Sequence, residues 1–182
     1  MLVLASASPR RQELIRLIDN DIIICPSDAD ESYSADTPAE SVPEILAVRK
    51  AAEVAKKYPN DTVIGCDTSV IIGNEILGKP KNNEDAKRML KLLSNNTHKV
   101  ITGCAIFKGR KSISFSETTE VIFHQLSEKE IDDYIETGEP SDKAGAYGIQ
   151  GKGSLLVKGI NGDYFNVVGL PVAKLNKVLK MI

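Results

Sequence analysis

Asp67 is the residue that its surroundings explain least. It interrupts Val63-Ile64-Gly65-Cys66 and Val70-Ile71-Ile72, a stretch otherwise composed for burial, and Thr68 beside it adds a second polar group. Ionised carboxylates are seldom buried without a partner, so Asp67 is expected to face a cleft, a cation or a metal ion. In a cleft it could bind a divalent cation or act as a general base toward water. The alternative is a structural aspartate that accepts backbone N–H groups. A second signal is Ser8-Pro9-Arg10-Arg11. Ser8 suits an N-cap and Pro9 the first helical position, which puts both arginines in the first turn of a helix. The helix dipole is positive there, and each cation works against it by about 0.3–1 kcal/mol. A bound anion removes the conflict, because free N–H groups, a hydroxyl and guanidinium forks together suit phosphate. An exposed basic helix start is the other reading.

Three further groups could join such a site. Lys79 follows the hairpin that begins after Asp67 and could return to the same sheet edge as a point charge for phosphate, or simply be solvated. The acidic loop with Asp28, Asp30 and Glu31 could supply a metal ligand, or be a solvated charge run. The segment Lys143 to Gly153 holds four glycines in nine residues, which lets backbone approach a ligand closely or makes a tight structural loop. Tyr147 and Gln150 within it could stack on a base or bond its edge. The segment is no Walker A loop, since Gly153 follows Lys152, and no GxGxxG occurs. His98 and His124 have no metal spacing and read as structural, so no Ser-His-Asp or Cys-His constellation is present.

The composition sets limits on function. The 182 residues suit one domain over 1–182, or one domain with two lobes. Lysine plus arginine total 23 against 25 acids, a net charge of −2 that argues against a general nucleic-acid binder. Cys25, Cys66 and Cys104 form no CxxC pair and read as small buried hydrophobes rather than metal or redox groups. No signal-peptide pattern or long apolar run is visible, so a cytoplasmic protein without a membrane partner is the expectation.

The elements that must position these groups alternate. Leu2 to Arg11 reads as a short buried strand, its apolar start ending at Ser6, that turns directly into a helix with Leu14, Leu17 and Ile18 as its inward stripe. Asp21–Cys25 is a second strand, and Asp28–Thr37 an exposed loop. Pro38 to about Lys57 is a helix with Ile45, Leu46, Val48, Ala52 and Ala55 inward, and Pro43 marks a kink or the true start. Asp61–Ile72 is a strand that turns at Gly73-Asn74 into Glu75–Leu77. Asp85–Leu93 is a helix, and His98–Phe107 and Lys111–Phe123 form a long hairpin. Ser127 and Glu130 make a capping box for a helix ending near Gly138, and a last helix follows Pro171. The class is α/β with a mixed sheet.

Taken together, Leu4-Ala5-Ser6-Ala7-Ser8-Pro9-Arg10-Arg11-Gln12-Glu13-Leu14, Asp67-Thr68, Gly78-Lys79-Pro80 and Asp142-Lys143-Ala144-Gly145-Ala146-Tyr147-Gly148-Ile149-Gln150-Gly151 resemble the Maf nucleotide pyrophosphatases. Ile160-Asn161-Gly162-Asp163-Tyr164 and Val167-Val168-Gly169-Leu170-Pro171 extend the likeness over essentially the whole chain, in order. The resemblance implies an elongated mixed sheet flanked by helices, with two lobes around a central cleft, often dimeric. It implies hydrolysis of a nucleoside triphosphate between the α and β phosphates, with Mg²⁺ or Mn²⁺. By it, Asp67 would be the proton acceptor, and Arg10, Thr68 and Gln150 would set base preference. Ser8, Arg11, Glu31, Lys50 and Lys79 would line the cleft, with Glu31 and Asp67 toward the metal. The loop through Gln150 resembles the branch acting on dTTP and UTP rather than the 7-methyl-GTP branch. A nucleotide-binding regulator of cell division without catalysis is the other class of function, given the family's association with septum formation.

Overall fold

The computed structural model describes residues 1–182. Its seven strands are β1 (Leu2–Ala5), β2 (Ile22–Ile24), β3 (Thr62–Ile72), β4 (Glu75–Leu77), β5 (Thr97–Lys108), β6 (Lys111–Phe123) and β7 (Val157–Asn161). They form one mixed sheet in the order β2-β1-β3-β5-β6-β7, with β4 also beside β3. β1 runs parallel to both β2 and β3, and the other pairings are antiparallel. The helices are α1 (Pro9–Ile15), α2 (Val42–Ala55), α3 (Asn83–Leu93), α4 (Glu128–Glu136), α5 (Tyr164–Val168) and α6 (Val172–Leu179). No helix is long and apolar enough to cross a membrane.

Alternation along β3 assigns its side chains to two faces. Val63, Gly65, Asp67 and Ser69 share the face covered by α2, while Ile64, Cys66, Thr68 and Val70 share the other. That second face carries two apolar cores. One gathers Leu4, Ile64, Cys66, Cys104 and Ile106 under α1 and α6. The other gathers Val70, Val100, Val121 and Phe123 under α3 and α4. Between them lies a polar belt of Thr68, Thr102, Thr119 and Asn166, the last three fully buried. The belt gives the fold its two lobes.

Several sequence expectations need correction. α1 ends at Ile15, so Leu17 falls beyond the helical repeat and is exposed, and Ile15 takes its place in the core. α2 begins at Val42, after a 3-10 turn at Ala39–Ser41, with Pro43 in its first turn. Its buried stripe is Leu46, Ala47, Ala51 and Val54, whereas Ile45, Val48, Ala52 and Ala55 are only half-buried. Gly65 and Gly103 decide this. A Cβ at Gly65 would meet Ala47 O at 2.4 Å, and one at Gly103 would meet Glu44 N at 2.3 Å. The helix therefore lies on the sheet through its small residues. β7 and α5 carry little sequence signal, because the first lies within the glycine-rich stretch from Asp142 to Gly162 and the second spans only five residues.

Gly65→Ala forces a methyl group into helix backbone and is expected to cost about 1–3 kcal/mol or more, read as a lower urea midpoint. Gly159→Ala enters open space and should stay within about 0.5 kcal/mol of the wild type.

Candidate active site

The outer edge of β3 is interrupted. β1 pairs with Thr62–Gly65 and β4 with Val70–Ile72, which leaves Cys66, Asp67, Thr68 and Ser69 without a strand neighbour on that side. β5 covers the other edge without a break from Thr62 to Ile71. The gap opens into a cavity of about 750 Å³. The loop leaving β1 (Ser6–Ser8) forms one wall and the turn leaving β4 (Gly78-Lys79) the opposite one.

On the α2 face, the close approach of that helix sets Lys50 against Asp67. Lys50 Nζ lies 2.7 Å from Asp67 Oδ1 and 2.7 Å from Glu31 Oε1. The ammonium and the Asp67 carboxylate are largely buried, 13% and 16% exposed, so the carboxylate depends on the ammonium. Asp67 Oδ2 is left without a partner in the chain. Glu31 reaches this site from the irregular loop because α2 holds the loop on both sides. Arg49 donates to the carbonyls of Asp30 and Ser32, and Glu53 accepts from Ser27 Oγ and Asp28 N. Sequence reading did not single out Arg49 or Glu53; their signal was spacing along the helix that also carries Lys50.

On the other face Arg11 departs from the expected anion clamp. Its Nε donates to Gly169 O at 2.9 Å, Nη1 to Ser6 Oγ at 3.3 Å and Cys66 O at 3.0 Å, and Nη2 to Thr68 Oγ1 at 2.9 Å. Four of its N–H groups are thus committed inside the protein, and Arg11 holds the unpaired edge of β3 rather than a ligand. Ser8 caps α1 by accepting from Arg11 N at 3.5 Å. Arg10 is one-third exposed, and its one ionic partner is Asp142 across the cleft, at 3.9 Å. Lys79 is exposed and unpaired at the cavity wall. These two are the available cations.

The glycine-dense segment is a chain of 3-10 turns with φ of 71° at Gly145, 60° at Ala146 and 62° at Gly151. Two side chains of the α4 region fix it. Glu139 accepts from Lys152 N at 3.0 Å and Gly153 N at 3.2 Å, and Tyr134 Oη accepts from Gly148 N at 3.2 Å. Gln150 sits between these anchors, exposed at the cavity rim. Tyr147 departs from the expected stacking surface. It is 5% exposed, bonded through its hydroxyl to His98 Nε2 at 2.7 Å and packed edge-on against His98 and Phe123. Cys66 and Cys104 are buried as expected, but they face each other across β3 and β5, with sulfurs 3.7 Å apart.

The nine polar positions that the family resemblance assigns to the cleft all line this one cavity: Ser8, Arg10, Arg11, Glu31, Lys50, Asp67, Thr68, Lys79 and Gln150; Asp28 and Asp30 of the acidic loop do not. A family model described as Maf-like protein matches residues 1–182. The chain belongs to the Maf family. A relative from Geobacillus sp. (strain WCH70), named dTTP/UTP pyrophosphatase, is 50% identical over 181 residues, covering 100% of this chain and 97% of that protein. A relative of the same name from Bacillus mycoides (strain KBAB4) is 49% identical over 179 residues, covering 98% and 94%. Among solved structures, the Ham1 protein of Staphylococcus aureus aligns with 67% of the Maf chain and 71% of its own, with a TM-score of 0.51 at 18% identity. That likeness concerns the fold.

Burial lowers the His98 imidazole to about 4, against about 6.5 in an unfolded chain. Below pH 6.5 the unfolded chain takes up a proton that the folded chain does not, so stability falls as pH drops and the loss is complete near pH 4. Urea unfolding at pH 7 and pH 4.5 is expected to show a loss of about 2–3 kcal/mol from this group, a component that His98→Asn removes.

Proposed function

We propose that this chain is a nucleoside triphosphate pyrophosphatase that hydrolyses dTTP and UTP between the α and β phosphates, releasing the monophosphate and pyrophosphate. The observation that carries the reading is the convergence of Asp67, Lys50, Glu31, Arg10, Lys79 and Gln150 on one cavity at the open edge of β3. The names of the relatives supply the base and the bond. Such triphosphates form a cytoplasmic pool, and we place the enzyme there.

The chemistry follows from charge and position. Arg10 and Lys79 hold the polyphosphate from opposite walls, the first as a fork and the second as a point charge. Water attacks the α phosphorus, the bond to the bridging oxygen breaks, and pyrophosphate leaves opposite the incoming oxygen. Asp67 takes the proton of the water at Oδ2, while Lys50 donates to Oδ1 and fixes the orientation of the carboxylate. Gln150 carries both a donor and an acceptor, which suits the edge of a pyrimidine.

Glu31 and Asp67 fit a divalent ion of the Mg²⁺ type. No group of three or more His, Cys, Asp or Glu side chains converges in the chain. Mg²⁺ is commonly held by one or two carboxylates together with substrate phosphates and water, and these two carboxylates already share one cation in Lys50. When bound, it would offset charge on the phosphate oxygens.

Pyrophosphate release from a panel of nucleoside triphosphates with Mg²⁺ or Mn²⁺ is expected for dTTP and UTP, and is expected to vanish with a chelator. Asp67→Asn should lower it by about 10²–10⁴-fold with an unchanged melting transition, since Glu31 still neutralises Lys50. Nucleotide binding without release would overturn the enzyme reading in favour of a nucleotide-sensing protein.

A further inference from the structure

The polar belt beneath the cleft has a direction. Thr102 stands opposite Thr68 in the β3–β5 register and is fully buried. The two hydroxyl oxygens lie 2.9 Å apart, and Thr102 Oγ1 lies 3.1 Å from the carbonyl oxygen of Asn166. A carbonyl can only accept, so Thr102 gives its one proton to Asn166 O. Were that proton turned to Thr68 instead, two bare acceptors would face each other in a buried layer. The proton between the threonines therefore comes from Thr68. Thr68 also accepts from Arg11 Nη2 at 2.9 Å, and a guanidinium only donates. A hydroxyl offers one proton and two lone pairs, so Thr68 retains a single lone pair for the cavity that it lines.

We propose that Thr102 is a specificity-determining positioning residue, which holds Thr68 as a pure acceptor at the cleft and so selects a nucleotide that presents an N–H or O–H donor there. The inference rests on a nucleotide occupying the cleft, as proposed above. The donor has two possible sources on a pyrimidine nucleotide, the imide N–H of uracil or thymine and the ribose 2′-hydroxyl. Cytosine carries an unprotonated ring nitrogen where uracil carries that N–H, and its lone pair would face the lone pair of Thr68.

The test compares Thr102→Val with Thr102→Ser. Valine keeps the shape of the side chain but cannot accept, which frees the Thr68 proton to turn outward. The Asn166 carbonyl still accepts from Gly169 N at 3.0 Å, so the valine variant is expected to fold. The expected result is a preference for UTP over CTP in kcat/KM that narrows about tenfold in Thr102→Val and is retained in Thr102→Ser. Narrowing of the UTP-to-dUTP ratio instead would assign the donor to the ribose. Unchanged ratios, or one common loss for all nucleotides, would overturn the proposal and leave Thr102 a structural residue. Dissociation constants for the α,β-methylene analogues of UTP, CTP and dUTP, measured by calorimetry, read the same ratios without turnover. A wild type that binds selectively yet releases no pyrophosphate would thus defeat the proposed activity while still deciding the role of Thr102.

Discussion

A strand edge presents N–H and C=O groups that must find partners, and a fold normally supplies them with another strand. β3 breaks that rule over Cys66–Ser69, where β1 has ended and β4 has not begun. Most of the architecture is arranged around this gap. Arg11 bonds the Cys66 carbonyl from the side where a strand would have been. The same guanidinium ties in Gly169 beyond α5 and Ser6 beyond β1, so three segments distant in the chain meet at one side chain. Behind the gap, Thr68, Thr102, Thr119 and Asn166 replace the apolar layer that would otherwise fuse the two cores. Asn166 donates to Val100 O at 3.0 Å and Thr119 Oγ1 at 2.9 Å, which couples the belt to β5 and β6.

The opposite face of β3 solves a different problem. Asp67 is too buried to stand alone, and the cation that serves it comes from a helix able to approach because Gly65 and Gly103 have no side chains. Glu31, itself exposed, brings a second carboxylate to the same ammonium. Burying the Asp67–Lys50 pair carries a desolvation cost and weighs little in favour of stability as a whole, but losing Lys50 would leave the Asp67 charge unpaired. The arrangement reads as a site kept for chemistry: Asp67 is held in one orientation at Oδ1 and is open at Oδ2.

The sequence and the folded protein agree best where the signal is local. The capping box at Ser127 and Glu130, the helix that ends at Leu93, and the long hairpin of β5 and β6 each depend on neighbours in the chain, and all were legible. The disagreements are tertiary. Which face of α2 is buried follows from glycines on other strands. Tyr147 points into the core because His98 and Phe123 form a pocket for it from β5 and β6. Arg10 and Arg11 are adjacent, yet one reaches across the cleft and the other turns inward. Composition and spacing treat the two arginines alike.

The amino-acid sequence by itself determined the α/β class, most element positions and the set of polar residues that gather at the cleft. The class and the elements follow from periodicity, capping and turn chemistry; the polar set follows from a carboxylate where burial forbids an unpaired one and, for Lys50 and the full list, from the likeness to the Maf family. Only the tertiary structure decided the roles within that set. A charge or hydroxyl has as many possible partners as there are groups in reach, and reach is fixed by strand register and helix approach. Lys50 became the partner of Asp67 through the packing of α2. Arg11 became a brace through the gap in β3, and Thr68 became an acceptor through a threonine 34 residues away.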